Sequence, residues 1–210
     1  MDYRKLTEQE VHILERNGCW AEDWQRVMVA EGFKPYNFHR VMFYGDIQLG
    51  EFNKKVEVAK GFVKHSGIND ATLRNVMVGD NCLIEKIGNF INNYTIGNDC
   101  YISNICTLET TDDATYGEGA VISVLNEMGD GNVTIFRKLN SQMAAFMVKH
   151  NRDKELRQTL QQMIEDELRV SRPERGFIGN NVKIINAKDI ANTVIKGYCE
   201  ISAAARLSEC

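Results

Sequence analysis

The chain has 210 residues, of which 43% are hydrophobic and 26% charged, a balance typical of a folded globular protein. Its net charge of −4 provides no basic surface for nucleic acid, so nucleic-acid binding is disfavoured. The longest apolar run is far too short to span a bilayer, and the N-terminus is polar. We therefore expect a cytoplasmic protein without membrane association.

The N-terminal residues 1–61 are predicted to form a helix and an irregular β cap. Thr7 and Glu10 have the spacing of a capping box, which predicts a helix over about residues 7–17, with Gly18 as its stop. A cap is expected because stacked repeats expose unpaired strand edges at their ends. Three β-prone pieces, 41–43, 47–49 and 56–58, fit either irregular first coils or a flanking hairpin.

Residues 62–124 show a six-residue period that fits neither a helix nor a simple strand. Bulky apolar side chains recur at Val78, Ile84, Phe90, Ile96, Ile102 and Leu108. This period is typical of a parallel β-solenoid in which three six-residue segments make one triangular coil. Each side chain should stack on its counterpart in the next coil, roughly 4.8 Å away. The predicted pairs are Val78 with Ile96, Ile84 with Ile102, and Phe90 with Leu108.

The repeat recurs elsewhere and contains a shared irregularity. Similar segments lie at 116–122 and 178–184, and a five-residue step occurs both from Leu73 to Val78 and from Ile190 to Ile195. Asparagines fill many intervening positions, which suits corners that need left-handed backbone conformations. They are Asn69, Asn75, Asn81, Asn92, Asn93, Asn98, Asn104, Asn180 and Asn181.

The six cysteines do not suggest a disulfide framework or a zinc site. Cys82, Cys100 and Cys199 occupy the small-residue position of the repeat. A long chain without a secretory signal favours reduced core thiols, and no cysteine or histidine spacing matches a zinc site. We predict no metal.

Residues 125–175 are predicted to be an insertion that contains a helical hairpin. A turn at 129–131 precedes two amphipathic patterns, at 138–150 and 153–170. Such a hairpin could be a lid over a ligand groove, a subunit-contact arm or a cover for an apolar flank. The coils resume at 176–210 and are still in register at Leu207. This pattern predicts either a longer polypeptide or an oligomeric partner that covers the last coil.

Segments 78–84 and 96–102 resemble the hexapeptide repeats of the left-handed β-helix acyltransferase superfamily. More narrowly, segment 64–68 with 78–84 and 124–127 is similar to a bacterial family of longer chains, classed as a domain of unknown function. The resemblance implies a mainly β fold: a left-handed parallel β-helix with an N-terminal capping helix and an inserted helical hairpin. It also implies trimers that transfer acyl groups from acyl-coenzyme A or acyl carrier protein, commonly with a histidine base.

Candidate site residues follow from that chemistry. His65, at the start of the regular coils, is the candidate catalytic base, although a hydrogen-bonded turn histidine is the alternative. Glu127 is a candidate catalytic carboxylate and Asn126 a candidate ligand for a substrate hydroxyl, but such pairs also cap turns. Arg137 and Lys138 could contact phosphates of a coenzyme or nucleotide sugar, or could be ordinary solvated charges.

Two functions remain open. The first is acyl transfer from acyl-CoA to a small-molecule acceptor such as a sugar or amino sugar. The second is a noncatalytic β-solenoid module that serves oligomerisation or regulation within a longer protein. A solenoid zinc hydratase is disfavoured because the chain has no closely spaced histidine pair, and no glycine-rich phosphate loop is present.

Overall fold

A computed structural model of the protein describes residues 2–123, 131–171 and 173–210. The chain divides into two compact units. The first contains the residues up to Asp112 together with Arg175–Ser208, and the second contains Asp113–Glu174 with Glu209–Cys210. None of the described helices combines the length and apolar character that a membrane span requires.

The described residues are mainly β. In chain order the elements are β1 (Tyr3–Lys5), α1 (Glu8–Arg16), β2 (Trp20–Ala21), β3 (Val27–Ala30), β4 (Phe38–Leu49), β5 (Lys55–Ala59), β6 (Phe62–His65), β7 (Gly67–Val78), β8 (Leu83–Ile96), β9 (Tyr101–Glu109), β10 (Val121–Ser123), β11 (Asn132–Thr134), α2 (Ser141–Lys149), α3 (Lys154–Ser171), β12 (Gly176–Ile178), β13 (Lys183–Ile185), β14 (Asp189–Ala191), β15 (Val194–Ile195), β16 (Glu200–Ser202) and β17 (Arg206–Ser208). Across the described ranges, thirteen strands join one mixed sheet, and two separate pairs, β5 with β6 and β10 with β11, are antiparallel.

Apart from β1, which pairs antiparallel with β3, the large sheet consists of chain segments that pair in parallel, with equivalent apolar side chains in columns. The columns are Ile68, Ile84, Ile102, Ile184 and Ile201; Leu73, Ile91, Leu108, Ile190 and Leu207; and Val78, Ile96, Ile178 and Ile195. Most of these side chains are buried, so the columns form the core. The predicted pairs of Val78 with Ile96 and of Ile84 with Ile102 are confirmed.

The predicted pair of Phe90 with Leu108 is wrong. Leu108 pairs with Ile91, and Phe90 pairs with Thr107. The register of β8 is irregular between Ile87 and Phe90, so the inward side chain comes one residue later than a strict six-residue period requires. A five-residue step from Ile91 to Ile96 then restores the column, as the corresponding steps from Leu73 and Ile190 do. Ile91 is fully buried, whereas Phe90 is partly exposed.

The predicted left-handed backbone occurs at five of the nine asparagines, with φ between 52° and 56°, and not at Asn69, Asn92, Asn98 or Asn180. Asn81 and Asn181 lie between strands, whereas Asn75, Asn93 and Asn104 lie within β7, β8 and β9. Asn98 and Asn180 act differently, because their side chains link layers. The Asn98 Oδ1 atom accepts from the Asp80 amide, and the Asn180 Oδ1 atom accepts from the Asn98 amide, each at 2.8 Å.

Of the three β-prone pieces before residue 62, two belong to the parallel layers and one belongs to a flanking hairpin. Pieces 41–43 and 47–49 lie in β4, which pairs in parallel with β7 and adds a layer to the large sheet. Piece 56–58 lies in β5, which pairs antiparallel with β6 as a hairpin. Parallel pairing in the structure begins earlier still, because both β2 and β3 pair in parallel with β4.

The repeat-like segment at 116–122 does not join the parallel layers, so that prediction is wrong. Its end lies in β10, which pairs antiparallel with β11. The two predicted helices are confirmed as α2 and α3. The chain leaves the first unit after Asp112 and returns at Arg175. The insertion thus lies between Leu108 and Ile178. In other layers, the two corresponding column positions are only five residues apart, as Leu73 and Val78 are.

The buried thiols of Cys82 and Cys100 occupy neighbouring layers. Cys82 Sγ donates to the Gly97 carbonyl at 3.0 Å, and Cys100 Sγ donates to the Gly179 carbonyl at 3.1 Å. The adjacent Cys100 thiol and burial both raise the pKa of Cys82 well above its ordinary value, which keeps this thiol protonated. No disulfide joins any of the six cysteines, all of which lie among the described residues.

Helix α1 begins with the predicted capping box. The Thr7 side chain accepts from the Glu10 amide, and Glu10 Oε2 accepts from the Thr7 amide at 2.8 Å. Arg4 donates to both Glu10 oxygens at 2.8 Å. These Arg4 hydrogen bonds, with those from Thr7, lower the pKa of Glu10 from 4.5 to about 2.

This shift predicts a pH-dependent contribution to stability. A carboxyl group whose folded pKa is depressed stabilises the fold above its unfolded pKa and loses that contribution as the pH falls. We expect the difference in melting temperature between wild type and Glu10→Gln to be largest above pH 4.5 and to shrink towards pH 2. Thermal unfolding of both proteins across this range measures the difference. A difference in melting temperature that stays constant with pH would contradict the lowered pKa of Glu10.

Candidate functional site

His65 lies at the end of β6, in the first unit, and is exposed. Its Nδ1 atom is 2.8 Å from the carbonyl oxygen of Ser66. Because a carbonyl oxygen can only accept, Nδ1 must carry the proton in this hydrogen bond. In the neutral ring, the Nε2 atom then keeps its lone pair. The imidazole is therefore oriented with a basic nitrogen available.

The residue before His65 is held by a buried carboxylate. Lys64 Nζ lies 2.5 Å from Glu85 Oε2, and the Glu85 side chain is only 9% exposed. Glu85 Oε1 also accepts from the Tyr101 hydroxyl at 3.1 Å and from Ser103 Oγ at 3.4 Å. A buried charge is tolerated when it is paired and hydrogen-bonded in this way. The ion pair thus ties the β5–β6 hairpin to the parallel layers beside His65.

Glu85, Tyr101 and Ser103 were not predicted from the sequence. Glu85 pairs in register with Ser103, one position after the Ile84 and Ile102 column. The six-residue period contained this signal, since equivalent positions in adjacent layers must be neighbours. The period carried no signal for Lys64, which reaches Glu85 from an antiparallel hairpin outside the layers.

The other predicted site residues lie outside the surroundings just described. Arg137 belongs to the second unit, and its Nε atom donates to Glu118 Oε1 at 3.2 Å. Its guanidinium group is therefore already engaged in an ion pair. Asn126 and Glu127 lie outside the described residues. Their predicted roles stay predictions.

The part of the chain that the structure describes contains no cluster of side chains suited to binding a metal ion. No group of three or more histidine, cysteine, aspartate or glutamate side chains there could hold an ion. The arrangement at His65 instead consists of one basic ring nitrogen and an adjacent anchored lysine. Such a group can accept a proton from a hydroxyl or amine that approaches it.

Comparison with known proteins shows to which family the chain belongs. A family model described as "Domain of unknown function (DUF4954)" matches residues 3–210. A protein of Treponema pallidum (strain Nichols), described as an uncharacterized protein, is 29% identical over 145 residues. That match covers 64% of this chain and 20% of the relative, so the matched region is a fifth of the relative's length. Because the family model covers nearly all of the chain, the protein belongs to the DUF4954 family.

Proposed function

We propose that the protein is a left-handed parallel β-helix of the hexapeptide-repeat type that transfers an acyl group from acyl-coenzyme A to a sugar or amino sugar. The observation that carries this proposal is the hydrogen bond from His65 Nδ1 to the Ser66 carbonyl. It leaves Nε2 as the basic nitrogen on an exposed ring, which is what a general base requires. The parallel layers, with apolar columns at about six-residue steps, support the β-helix.

The proposed reaction is a direct transfer. Nε2 of His65 takes the proton of the acceptor hydroxyl or amine while that oxygen or nitrogen attacks the thioester carbonyl. The carbon–sulfur bond of the tetrahedral intermediate then breaks, and the imidazolium returns its proton to the leaving thiolate. The products are the acylated sugar and free coenzyme A, so atoms and charge balance.

Other residues have positioning or binding roles in the proposal. The Lys64–Glu85 ion pair holds the end of β6 and thereby orients His65. Glu127 would orient the base or accept a proton, and Asn126 would hold the acceptor hydroxyl. Arg137 would bind a coenzyme phosphate only by exchanging its Glu118 partner. The proposal also includes a cytoplasmic location and a homo-oligomer, most naturally a trimer with the active site in a groove between subunits.

A noncatalytic β-solenoid module is the second candidate. The observation in its favour is that the region matched in the Treponema pallidum relative is only 20% of that protein. A segment of this size fits an assembly or regulatory module of a longer protein. On this view the helical hairpin serves contacts between chains, and acyl donors do not bind.

The test is to incubate the protein with acetyl-coenzyme A and either amino sugars or nucleotide-linked sugars. Chromatography then measures how much acetyl-coenzyme A is consumed. His65→Ala should lower the turnover at least 100-fold, the range typical of a lost general base. His12→Ala is the matched control, because His12 is an exposed histidine on α1, and this variant should retain full turnover. Glu85→Gln should lower kcat more than it changes KM, since Glu85 positions His65 without contacting substrate.

Two outcomes would reject the enzymatic proposal. One is equal turnover by His65→Ala and His12→Ala, which would show that His65 takes no part in the reaction. The other is a folded wild-type protein that consumes no acetyl-coenzyme A and whose melting temperature the donor does not raise. The second outcome favours the noncatalytic module.

A further inference from the structure

A groove of about 750 Å³ lies in the first unit, on the outer surface of the parallel layers. Its lining includes Tyr44, Arg74, Phe90, Asn92 and Glu109. A cleft of this volume is within the range of small-molecule sites, which combine apolar surfaces with a few polar groups. None of the residues that contact or anchor His65 lines this groove.

Four of the lining residues form one row across successive layers. Tyr44 pairs with Arg74, Arg74 with Asn92, and Asn92 with Glu109. Each directly follows a buried residue that faces the core, since Phe43 pairs with Leu73 and extends the column of Leu73, Ile91 and Leu108, so each side chain of the row points outward. Layers are roughly 4.8 Å apart, and the backbones of Arg74 and Glu109 are therefore about 10 Å apart. A guanidinium, an amide and a carboxylate thus succeed one another along the groove.

The three polar side chains in this row have no partner among the described residues. The Arg74, Asn92 and Glu109 side chains form no hydrogen bond or ion pair there, and Arg74 is exposed. Arg26, which also lines the groove, is bound to Asp46 at 2.9 Å. Glu22 accepts from the Gly45 amide at 3.3 Å. Arg74 is therefore the cation in the described lining that is available for an anionic ligand.

We propose that this groove binds a sugar that carries an anionic group, with that group on Arg74. The guanidinium fork matches the paired oxygens of a phosphate or carboxylate. Asn92 offers both a donor and an acceptor to sugar hydroxyls. Phe90 and Tyr44 supply partly exposed rings against which the apolar face of a sugar packs. Glu109 accepts from a hydroxyl, or pairs with an ammonium group, at the far end. The site is independent of the acyltransferase proposal.

The experiment is isothermal titration calorimetry of the whole chain with five probes. The anionic sugars are glucose 6-phosphate, glucosamine 6-phosphate and glucuronate, and the controls are glucose and inorganic phosphate. We expect at least one anionic sugar to bind more than tenfold tighter than either control. A preference for the phosphate sugars or for glucuronate identifies which anion the site takes.

Variants locate the site. Arg74→Gln should weaken binding of the preferred sugar at least tenfold, whereas Arg16→Gln, at an exposed arginine on α1, should leave it unchanged. Glu109→Gln should remove any preference for glucosamine 6-phosphate over glucose 6-phosphate, because the ammonium group loses its partner. Circular dichroism checks that each variant is folded.

The proposal is overturned by either of two results. In the first, the anionic sugars bind no more tightly than inorganic phosphate, which would indicate an anion site without sugar recognition. In the second, folded Arg74→Gln and Arg16→Gln bind the preferred sugar equally well, which would place the ligand elsewhere.

Discussion

Replacement of Ile91 by alanine is expected to lower the free energy of unfolding by about 2–5 kcal/mol, the range for large apolar side chains removed from a tight core. Ile91 is fully buried and stands between Leu73 and Leu108 in its column. Alanine would leave a cavity that the neighbouring layers fill only in part, because their backbones are fixed by parallel hydrogen bonding.

Phe90→Ala is the matched comparison, since the two residues are adjacent. Phe90 points to the groove on the outer surface and is only partly buried, so its loss should cost about 1 kcal/mol. Urea denaturation of both variants gives the two free energies. A strict six-residue period would place Phe90 in the core, and Phe90→Ala would then lose more free energy of unfolding than Ile91→Ala. A larger loss for Phe90→Ala than for Ile91→Ala would therefore contradict the observed register.

Gly97→Ala is expected to be the second large effect, with a loss of about 2–4 kcal/mol. A Cβ atom at residue 97 would meet Asn180 Oδ1, and it would lie 2.8 Å from the Gly179 carbonyl carbon and 2.9 Å from the Asn180 amide nitrogen. Two of these atoms are backbone of the next layer, so relief requires the layers to separate. Overpacking of this kind typically costs 1–3 kcal/mol.

A lost hydrogen bond adds to that cost. Asn180 Oδ1 accepts from the Asn98 amide at 2.8 Å, and displacement of the side chain would leave this amide unpaired. Gly79 faces the same geometry one layer earlier, where a Cβ atom would lie 2.8 Å from the Gly97 carbonyl carbon. Gly79 and Gly97 thus permit the close approach of successive layers.

Gly88→Ala is the control for a glycine in the same sheet. The nearest atom to a Cβ there is the Cα of Cys106 at 3.4 Å, an ordinary contact, and Gly88 does not have a left-handed backbone. Its substitution should change stability by about 0.5 kcal/mol or less. Melting temperatures of the two alanine variants provide the comparison. Equal melting temperatures would show that the layers are not closely packed at Gly97.

The candidate site was predictable only in part. His65 was selected by residue type and by its place at the start of the repeats, and its hydrogen bond to Ser66 follows from local geometry. The buried Glu85 depends instead on Lys64, 21 residues earlier and on a different pair of strands. Likewise, Arg74 has no side-chain partner among the described residues, because the register of the layers decides which side chains lie beside it.

The sequence by itself determined the features that arise from local pattern. These are the capped helix α1, the helices α2 and α3, the spacing of apolar side chains by about six residues and the left-handed backbone at five of the nine asparagines predicted to have it, because each requires only residues a few positions apart. Tertiary structure alone decided that Ile91 rather than Phe90 faces the core and that segment 116–122 leaves the parallel layers. A one-residue shift in one layer exchanges inward and outward side chains, and only the neighbouring layers fix which register buries more apolar surface.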